Sequence, residues 1–375
     1  MLNLVRAQVY RVDRNDPDPR AVSHAAEVIR RGGLVAFPTE TVYGLGADAL
    51  NPGAVERVFK AKGRPPDNPL IIHVASMEEL YTIGRDIDWR AEELAKRFWP
   101  GPLTLVVKKS PIVPKITVAG LDTAAVRMPR HKVALRLIEE SERPIAAPSA
   151  NKSGRPSPTL AEHVVADLGD EVDLVLDSGP TDIGVESTVL DITSEKPVIL
   201  RPGGVSREEI EAVVGVVEVH PSALGVLPHG EDAPRSPGMK YRHYAPAAKL
   251  VVVEGELEEV RHAVQELIDL LRRRGIRVGV LGSEGYSYRA DVLRDLGSRS
   301  NPGGAARLLF RYLREMDDEG VEVIVAEGWR DEKGIALAIK NRLRKASGGV
   351  VLEAEQLIKA LRTSPTGVYI EVMGT

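Results

Sequence analysis

Residues 144–158 read PIAAPSANKSGRPSP. The apolar run Ile145-Ala146-Ala147 has the character of a short buried strand that stops at Pro148 and opens into a polar turn. Ser149, Asn151 and Ser153 alternate there with other, mostly small residues. Proline and glycine at this density exclude a helix, and small residues let a ligand approach the backbone closely. Hydroxyls, amides and exposed N–H groups at the carboxyl end of a buried strand are where open α/β sheets bind phosphorylated ligands. An ordinary Asx-rich turn has the same composition. The flanking segments have to decide between the two.

Upstream, Val5–Val12 alternates like a first strand, and Pro19–Arg31 places Val22, Ala25, Ala26 and Ile29 at helical spacing before Gly32-Gly33. Leu34-Val35-Ala36-Phe37 reads as a buried strand ended by Pro38. Gly44, Gly46 and Ala49 then meet the G-x-G-x-x-G/A spacing of a dinucleotide-binding turn. The residues Pro38 to Tyr43 separate the first glycine from the strand end, which argues against a nicotinamide site. A helix over Pro52–Ala61 runs into Lys62-Gly63-Arg64-Pro65-Pro66-Asp67-Asn68-Pro69, with the strand Leu70–Val74 after it. Lys62 and Arg64 either complement the helix dipole or clamp an anion, and the stiff prolines favour the clamp. His73, taken alone, reads as a satisfied core histidine. Helices are expected at Met77–Gly84 and Trp89–Phe98 and a strand at Leu103–Val107. Ala124-Ala125-Val126 is a further short strand that delivers Arg127, as an anion anchor or as a partner in an interdomain ion pair.

Downstream, a helix over Leu160–Leu168 and strands at Leu174–Asp177 and Val198–Leu200 follow, with Arg201 at a strand end before Pro202-Gly203-Gly204. Short apolar strands alternating with helices mean an α/β sheet, and polar residues at converging strand ends would line one cleft. Lys62, Arg64, Arg127 and Arg201 beside a hydroxyl loop suit a ligand with several negative charges. No P-loop or kinase signature is present. The Pro- and Gly-rich stretch around SPGMKYRHYAP (236–246) reads as a linker. Its two tyrosines, histidine and cations suit a strap packed over a ligand better than a spacer. From Leu250 a second α/β unit of βαβαβ order begins. It shows no comparable cluster of polar loops, so it reads as structural or regulatory, and Arg342 and Lys345 on its last expected helix read as surface charges.

At 375 residues the chain has room for two domains, and 43% hydrophobic with 28% charged residues is ordinary globular composition. A net charge of −4 argues against a protein whose main task is gripping a nucleic-acid backbone. The chain contains no cysteine, which excludes disulfides and thiolate metal sites. No apolar run reaches membrane-spanning length and the first residues carry charge too early for a signal peptide, so no membrane association and a cytoplasmic location are expected.

In series, AFPTETVYGLGADAL, KGRPPDNPLIIHV, WPGPLTLVV, GLDTAAVRMP, PIAAPSANKSGRPSPT, GVESTVLD and ILRPGG are spread through most of the stretch 20–210. Their order and spacing resemble the YrdC-type family of L-threonylcarbamoyladenylate synthases. SPGMKYRHYAP and the unit after it resemble that family's long, two-domain form. The resemblance implies an open, twisted, mixed sheet over residues 1–217, a linker or strap over 218–249, and a smaller Rossmann-like α/β domain over 250–375. It also implies a nucleotidyltransferase reaction, in which L-threonine, bicarbonate and ATP give threonylcarbamoyl-AMP and pyrophosphate. A downstream transferase complex then modifies tRNA next to the anticodon, and direct tRNA contact with this chain is left open. By the same resemblance Lys62, Arg64, Ser149 and Asn151 are catalytic, and Thr39, Thr41, His73, Thr123, Arg127 and Ser187 bind L-threonine. ATP is expected along Lys62, Arg64, Asn68, Ala147, Ser149, Asn151, Ser157 and Arg201, with His243 and Tyr244 closing over it. Mg2+ is expected on the ATP phosphates rather than in a protein cage. An RNA- or tRNA-binding module without catalysis is the alternative reading.

Overall fold

The computed structural model describes residues 7–226, 234 and 243–374. Among these, the first compact unit holds residues 7–153, 157–223 and 234, and the second holds 154–156, 224–226 and 243–374. Residues 227–233 and 235–242, which include most of the SPGMKYRHYAP stretch of the expected strap, lie outside the described residues.

In the first unit the strands are β1 (Gln8–Arg11), β2 (Val35–Phe37), β3 (Gly44–Asp48), β4 (Ile71–His73), β5 (Leu103–Lys108), β6 (Thr123–Arg127), β7 (Ile145–Ala146), β8 (Leu174–Asp177), β9 (Thr188–Asp191), β10 (Val198–Arg201) and β11 (Glu218–Val219). They form one sheet in the order β1-β8-β2-β3-β7-β4-β6-β5-β9-β10-β11. Its directions are mixed: β4 runs parallel to β6, while β2–β3, β3–β7, β4–β7 and β5–β6 are antiparallel. Strand β2 shows why the apolar runs are continuous. Val35 and Phe37 pack into one core cluster and Ala36 into another, so both faces are covered.

The helices are α1 (Pro19–Arg30), α2 (Pro52–Lys62), α3 (Met77–Ile83), α4 (Trp89–Phe98), α5 (Lys132–Ser141), α6 (Ala161–Leu168) and α7 (Arg207–Val214). Helix α2 is bounded by its own sequence. Asn51 caps it by accepting from the Gly53 and Ala54 N–H groups, Pro52 follows at the first helical position, and Gly63 ends it in the left-handed conformation. Those boundaries put Lys62 on the last turn, facing inward. Gly44 and Gly46 belong to β3 and form no dinucleotide turn. A Cβ on Gly46 would stand 2.8 Å from both Phe37 and Ile145, so the glycine answers a packing need.

The second unit has strands β12 (Lys249–Glu254), β13 (Val278–Gly282), β14 (Val292–Asp295), β15 (Val323–Glu327) and β16 (Val351–Glu353), in the all-parallel order β14-β13-β15-β12-β16. Its helices are α8 (Leu257–Arg273), α9 (Pro302–Asp318), α10 (Ala336–Ala346), α11 (Ala354–Thr363) and α12 (Pro365–Met373). Strands β14 and β16 and the last two helices go beyond the βαβαβ expected from the sequence.

Two expectations for this unit need correction. Arg342 and Lys345 are buried, not surface charges. The Arg342 guanidinium lies 5.1 Å from the Tyr244 ring and donates to Asn341 Oδ1 at 2.7 Å. A charged side chain can be buried when it is hydrogen-bonded and stacked in this way. The unit also does carry a polar cluster at its strand ends. Buried Glu327 accepts from Ser283 Oγ at 2.5 Å, Tyr288 Oη at 2.6 Å and Arg299 Nη2 at 2.9 Å. No helix among the described residues is long and apolar enough to cross a membrane.

Candidate active site

Strand direction alternates, so the polar residues do not share one end of the sheet. In the ladder β2 runs antiparallel to β3, and β3 and β4 each pair antiparallel with β7. The carboxyl end of β2 therefore points opposite to those of β4 and β6. Loops gather the site instead. The turn after β2 is tied to residues 183–184, with Ile183 N–H donating to Glu40 O at 2.9 Å and Gly184 N–H to Thr41 O at 3.1 Å.

In that turn the Thr39 hydroxyl accepts from the Thr41 and Val42 N–H groups, donates to Val42 O at 2.7 Å and lies 2.9 Å from Thr41 Oγ1. Arg127, the last residue of β6, reaches this turn. Its Nη1 donates to Thr41 Oγ1 at 3.0 Å, its Nε donates to Gly101 O at 3.3 Å, and its Nη2 lies 2.7 Å from Glu40 Oε1. His73 is the register partner of Arg127 on β4. Burial, and secondly the neighbouring Arg127 charge, push His73 down to about 3, so the ring is neutral at physiological pH. Thr123 opens β6, four residues before Arg127 and roughly 13 Å from it along the strand.

A second group adjoins the first. Arg201, at the end of β10, donates from Nε to Ser187 O and from Nη2 to Ser187 Oγ, both at 3.1 Å. Ser187 Oγ is also 2.8 Å from Thr104 Oγ1. The adjacent Glu186 takes the Ser157 hydroxyl on Oε1.

The third group is the 148–153 loop with the end of α2. Lys62 Nζ donates to Ser149 O at 2.5 Å and to Asn151 O at 2.6 Å, while Ser153 N–H donates back to Lys62 O at 2.9 Å. Complete burial holds Lys62 well below its ordinary value, helped by the charge of Arg64, and Glu186 and Asp167 pull the other way. Arg64 Nη2 donates to Asn68 O at 3.1 Å, and its guanidinium lies 5.9 Å from the Phe59 ring. The Asn68 side chain is fully buried with neither amide atom hydrogen-bonded among the described residues. Ala147 N–H is committed to Ile71 O and Ala150 N–H to Tyr43 O, which fastens the loop to the sheet.

The loops thus collect four cations and two buried carboxylates, Glu40 and Glu186, which sequence reading passed over. The only clue to Glu40 was its place between Thr39 and Thr41. Among the described residues no three His, Asp or Glu side chains gather to hold a metal ion. His243 and Tyr244 belong to the second unit, where the Tyr244 ring stacks on Phe310 with centroids 5.2 Å apart.

Comparison with known proteins matches both units. A family profile described as "Telomere recombination" fits residues 27–203, and one described as "Threonylcarbamoyl-AMP synthase, C-terminal domain" fits residues 205–348. Over 324 residues the chain is 57% identical to the threonylcarbamoyl-AMP synthase of Pyrococcus abyssi, covering 86% of this chain and 93% of that one. The chain belongs to the threonylcarbamoyl-AMP synthase family. The Bacillus subtilis member is 48% identical over 342 residues, covering 90% of this chain and 95% of its own. The crystal structure of P. abyssi Sua5 complexed with L-threonine superposes with a TM-score of 0.88 at 54% identity, over 92% of this chain and 99% of that one. Family membership therefore extends through the second unit.

Proposed function

We infer that this chain forms L-threonylcarbamoyl-AMP and pyrophosphate from L-threonine, bicarbonate and ATP. The observation that carries this is homology to threonylcarbamoyl-AMP synthases along most of the chain, in which Lys62 is bonded to the Ser149–Asn151 loop, Arg64 to Asn68, and Arg127 and Arg201 to the hydroxyls of Thr41 and Ser187. Arg127 takes the threonine carboxylate, which suits a planar guanidinium held at a strand end. Thr39, Thr41, neutral His73 and Ser187 orient its hydroxyl and amine, and Thr123 closes the far side of the same strand. Bicarbonate adds to the amine with loss of water to give a carbamate, and a carbamate oxygen attacks the α-phosphorus as pyrophosphate leaves.

Charge then builds on phosphate oxygens, so catalysis is positioning and electrostatic stabilisation without a covalent nucleophile. Lys62, Arg64 and Arg201 supply the positive charge. A triphosphate beside Lys62 provides the counter-charge that favours its ammonium form against burial. Asn68, whose buried amide has unused donors and an unused acceptor among the described residues, joins Ala147, Ser149, Asn151 and Ser157 along ATP. His243 and Tyr244 are assigned to the nucleotide by the family resemblance alone. Mg2+ arrives with the phosphates of ATP. The product serves a downstream transferase that modifies tRNA, and the enzyme acts in the cytoplasm on this reading.

Pyrophosphate release from ATP, measured with and without L-threonine and bicarbonate, tests the reading. Release that requires both is expected. No release together with tight, salt-sensitive tRNA binding would make the cleft an RNA site instead.

A further inference from the structure

Glu40 is fully buried in the Thr39–Thr41 turn, and none of the roles above uses it. Its Oε1 is 2.7 Å from Arg127 Nη2, yet neither carboxylate oxygen accepts a well-aligned hydrogen bond among the described residues, nor does Arg127 Nη2 donate one. The other two guanidinium nitrogens do donate, to Gly101 O and Thr41 Oγ1. Attraction in a buried ion pair offsets the desolvation of its charges only when the geometry is good and hydrogen bonds satisfy the remaining atoms. This pair is close but misaligned, so Glu40 is the least satisfied group around Arg127.

An α-amino acid carries a carboxylate and an ammonium on one carbon, the complement of a guanidinium beside a carboxylate. We propose that Glu40 binds the α-ammonium group of L-threonine while Arg127 holds its carboxylate, so that substrate binding exchanges the internal Arg127–Glu40 contact for two pairs with the zwitterion. The ammonium passes one proton to Glu40 before its nitrogen, as the free amine, attacks bicarbonate. The proposal rests on the assignment of Arg127 given above. Net charge in the buried pocket is zero before and after the exchange, which is the arrangement a low-dielectric site tolerates best.

No other group at the turn carries a charge opposite to the ammonium. The Thr39 and Thr41 hydroxyls are neutral, one donating to Val42 O and the other accepting from Arg127, so they can orient the amine without neutralising it. The charged and titratable groups facing Glu40 are Arg127 and His131, with His73 beside Arg127 and the Arg14–Asp182 pair acting on His131. Burial keeps both histidines neutral, so Glu40 is the negative charge available at that position. The site would then select acids that bear a free ammonium and reject hydroxy acids and N-acylated amino acids of the same shape.

The test compares binding of L-threonine and of 3-hydroxybutyrate, which lacks only the amino group, to the full chain and to Glu40→Gln. The wild type is expected to favour L-threonine by about a hundredfold, and Glu40→Gln to favour it by less than about threefold. If the variant weakens both ligands equally, Glu40 merely positions Arg127 and the proposal is overturned. A wild-type chain that binds both acids alike also overturns it, and that result needs no variant to fold. Failure of L-threonine itself to bind the wild type would refute the proposed function, and this inference with it.

Discussion

Replacing Lys62 with methionine should abolish adenylate formation and leave the fold standing, because two opposed terms at Lys62 nearly cancel in stability and do not cancel in catalysis. The lysine makes two charge-assisted hydrogen bonds to carbonyls, worth roughly 1.5–3 kcal/mol each. Against them stands the cost of keeping an ammonium group out of water, several kcal/mol for an ion buried this completely. Methionine fills nearly the same volume and carries no such cost. The net change in unfolding free energy should therefore stay within about 3 kcal/mol. Turnover has no compensating term: a preorganised cation at a phosphoryl-transfer centre is worth about a hundredfold to a thousandfold in rate.

Pyrophosphate release dependent on L-threonine and bicarbonate measures the activity, and urea denaturation measures the stability. Titration gives a second signature. Burial, and then the charge of Arg64, lower the folded value of Lys62 below 10.5. Between the folded and unfolded values the unfolded chain binds the extra proton, so this group makes stability rise with pH across that window. Lys62→Met should remove that part of the slope. Near-normal pyrophosphate release in the variant would refute the assigned role. Global unfolding of Lys62→Met at neutral pH would refute the energetic argument.

On the acid side, His73 and His131 are held at about 3 and about 4, mainly by burial. Both are depressed, so stability is complete above their ordinary value of 6.5 and is lost as pH falls toward the folded values, with a slope of up to about 1.4 kcal/mol per pH unit for each. Urea midpoints at pH 5 and 7 should differ less in a His131→Gln variant than in the wild type. Gly203→Ala places a Cβ 2.3 Å from the backbone of Glu186, Ser187 and Thr188, so it should cost about 3 kcal/mol or more and lose turnover as Ser187 shifts away from Arg201. Arg342→Ala should destabilise the second unit by about 2–4 kcal/mol, measured by denaturation followed through Tyr and Trp fluorescence, whereas a surface arginine would change it by about 0.5 kcal/mol at most.

Local chemistry carries much of this molecule. The Asn51-Pro52 start and Gly63 end of α2, the continuous apolar run of β2 and the proline stop after β7 are all readable from composition and spacing, because caps and two-sided burial leave local marks. The cations Lys62, Arg64, Arg127 and Arg201 and the loop at Ser149 were visible for the same reason, each standing within two residues of a proline or glycine near the end of an element. The extra helices α11 and α12 and the edge strands β14 and β16 were not. Such short segments take their shape from docking onto a sheet that the sequence does not display.

What only the tertiary structure decided is which polar groups meet. Seven short motifs determine the family and the cast of residues, but strand direction is set by long-range pairing, and a mixed sheet sends β2 opposite to β4 and β6. Convergence through loops, rather than through strand ends, follows from that and from hydrogen bonds such as Ile183 N–H to Glu40 O. Burial is equally non-local. The sequence alone does not separate Arg342 against the Tyr244 ring from an exposed arginine, nor Glu40 beside Arg127 from a solvated acid. The free energy of a charge depends on the dielectric and on the partners that folding brings to it, and those come from distant parts of the chain.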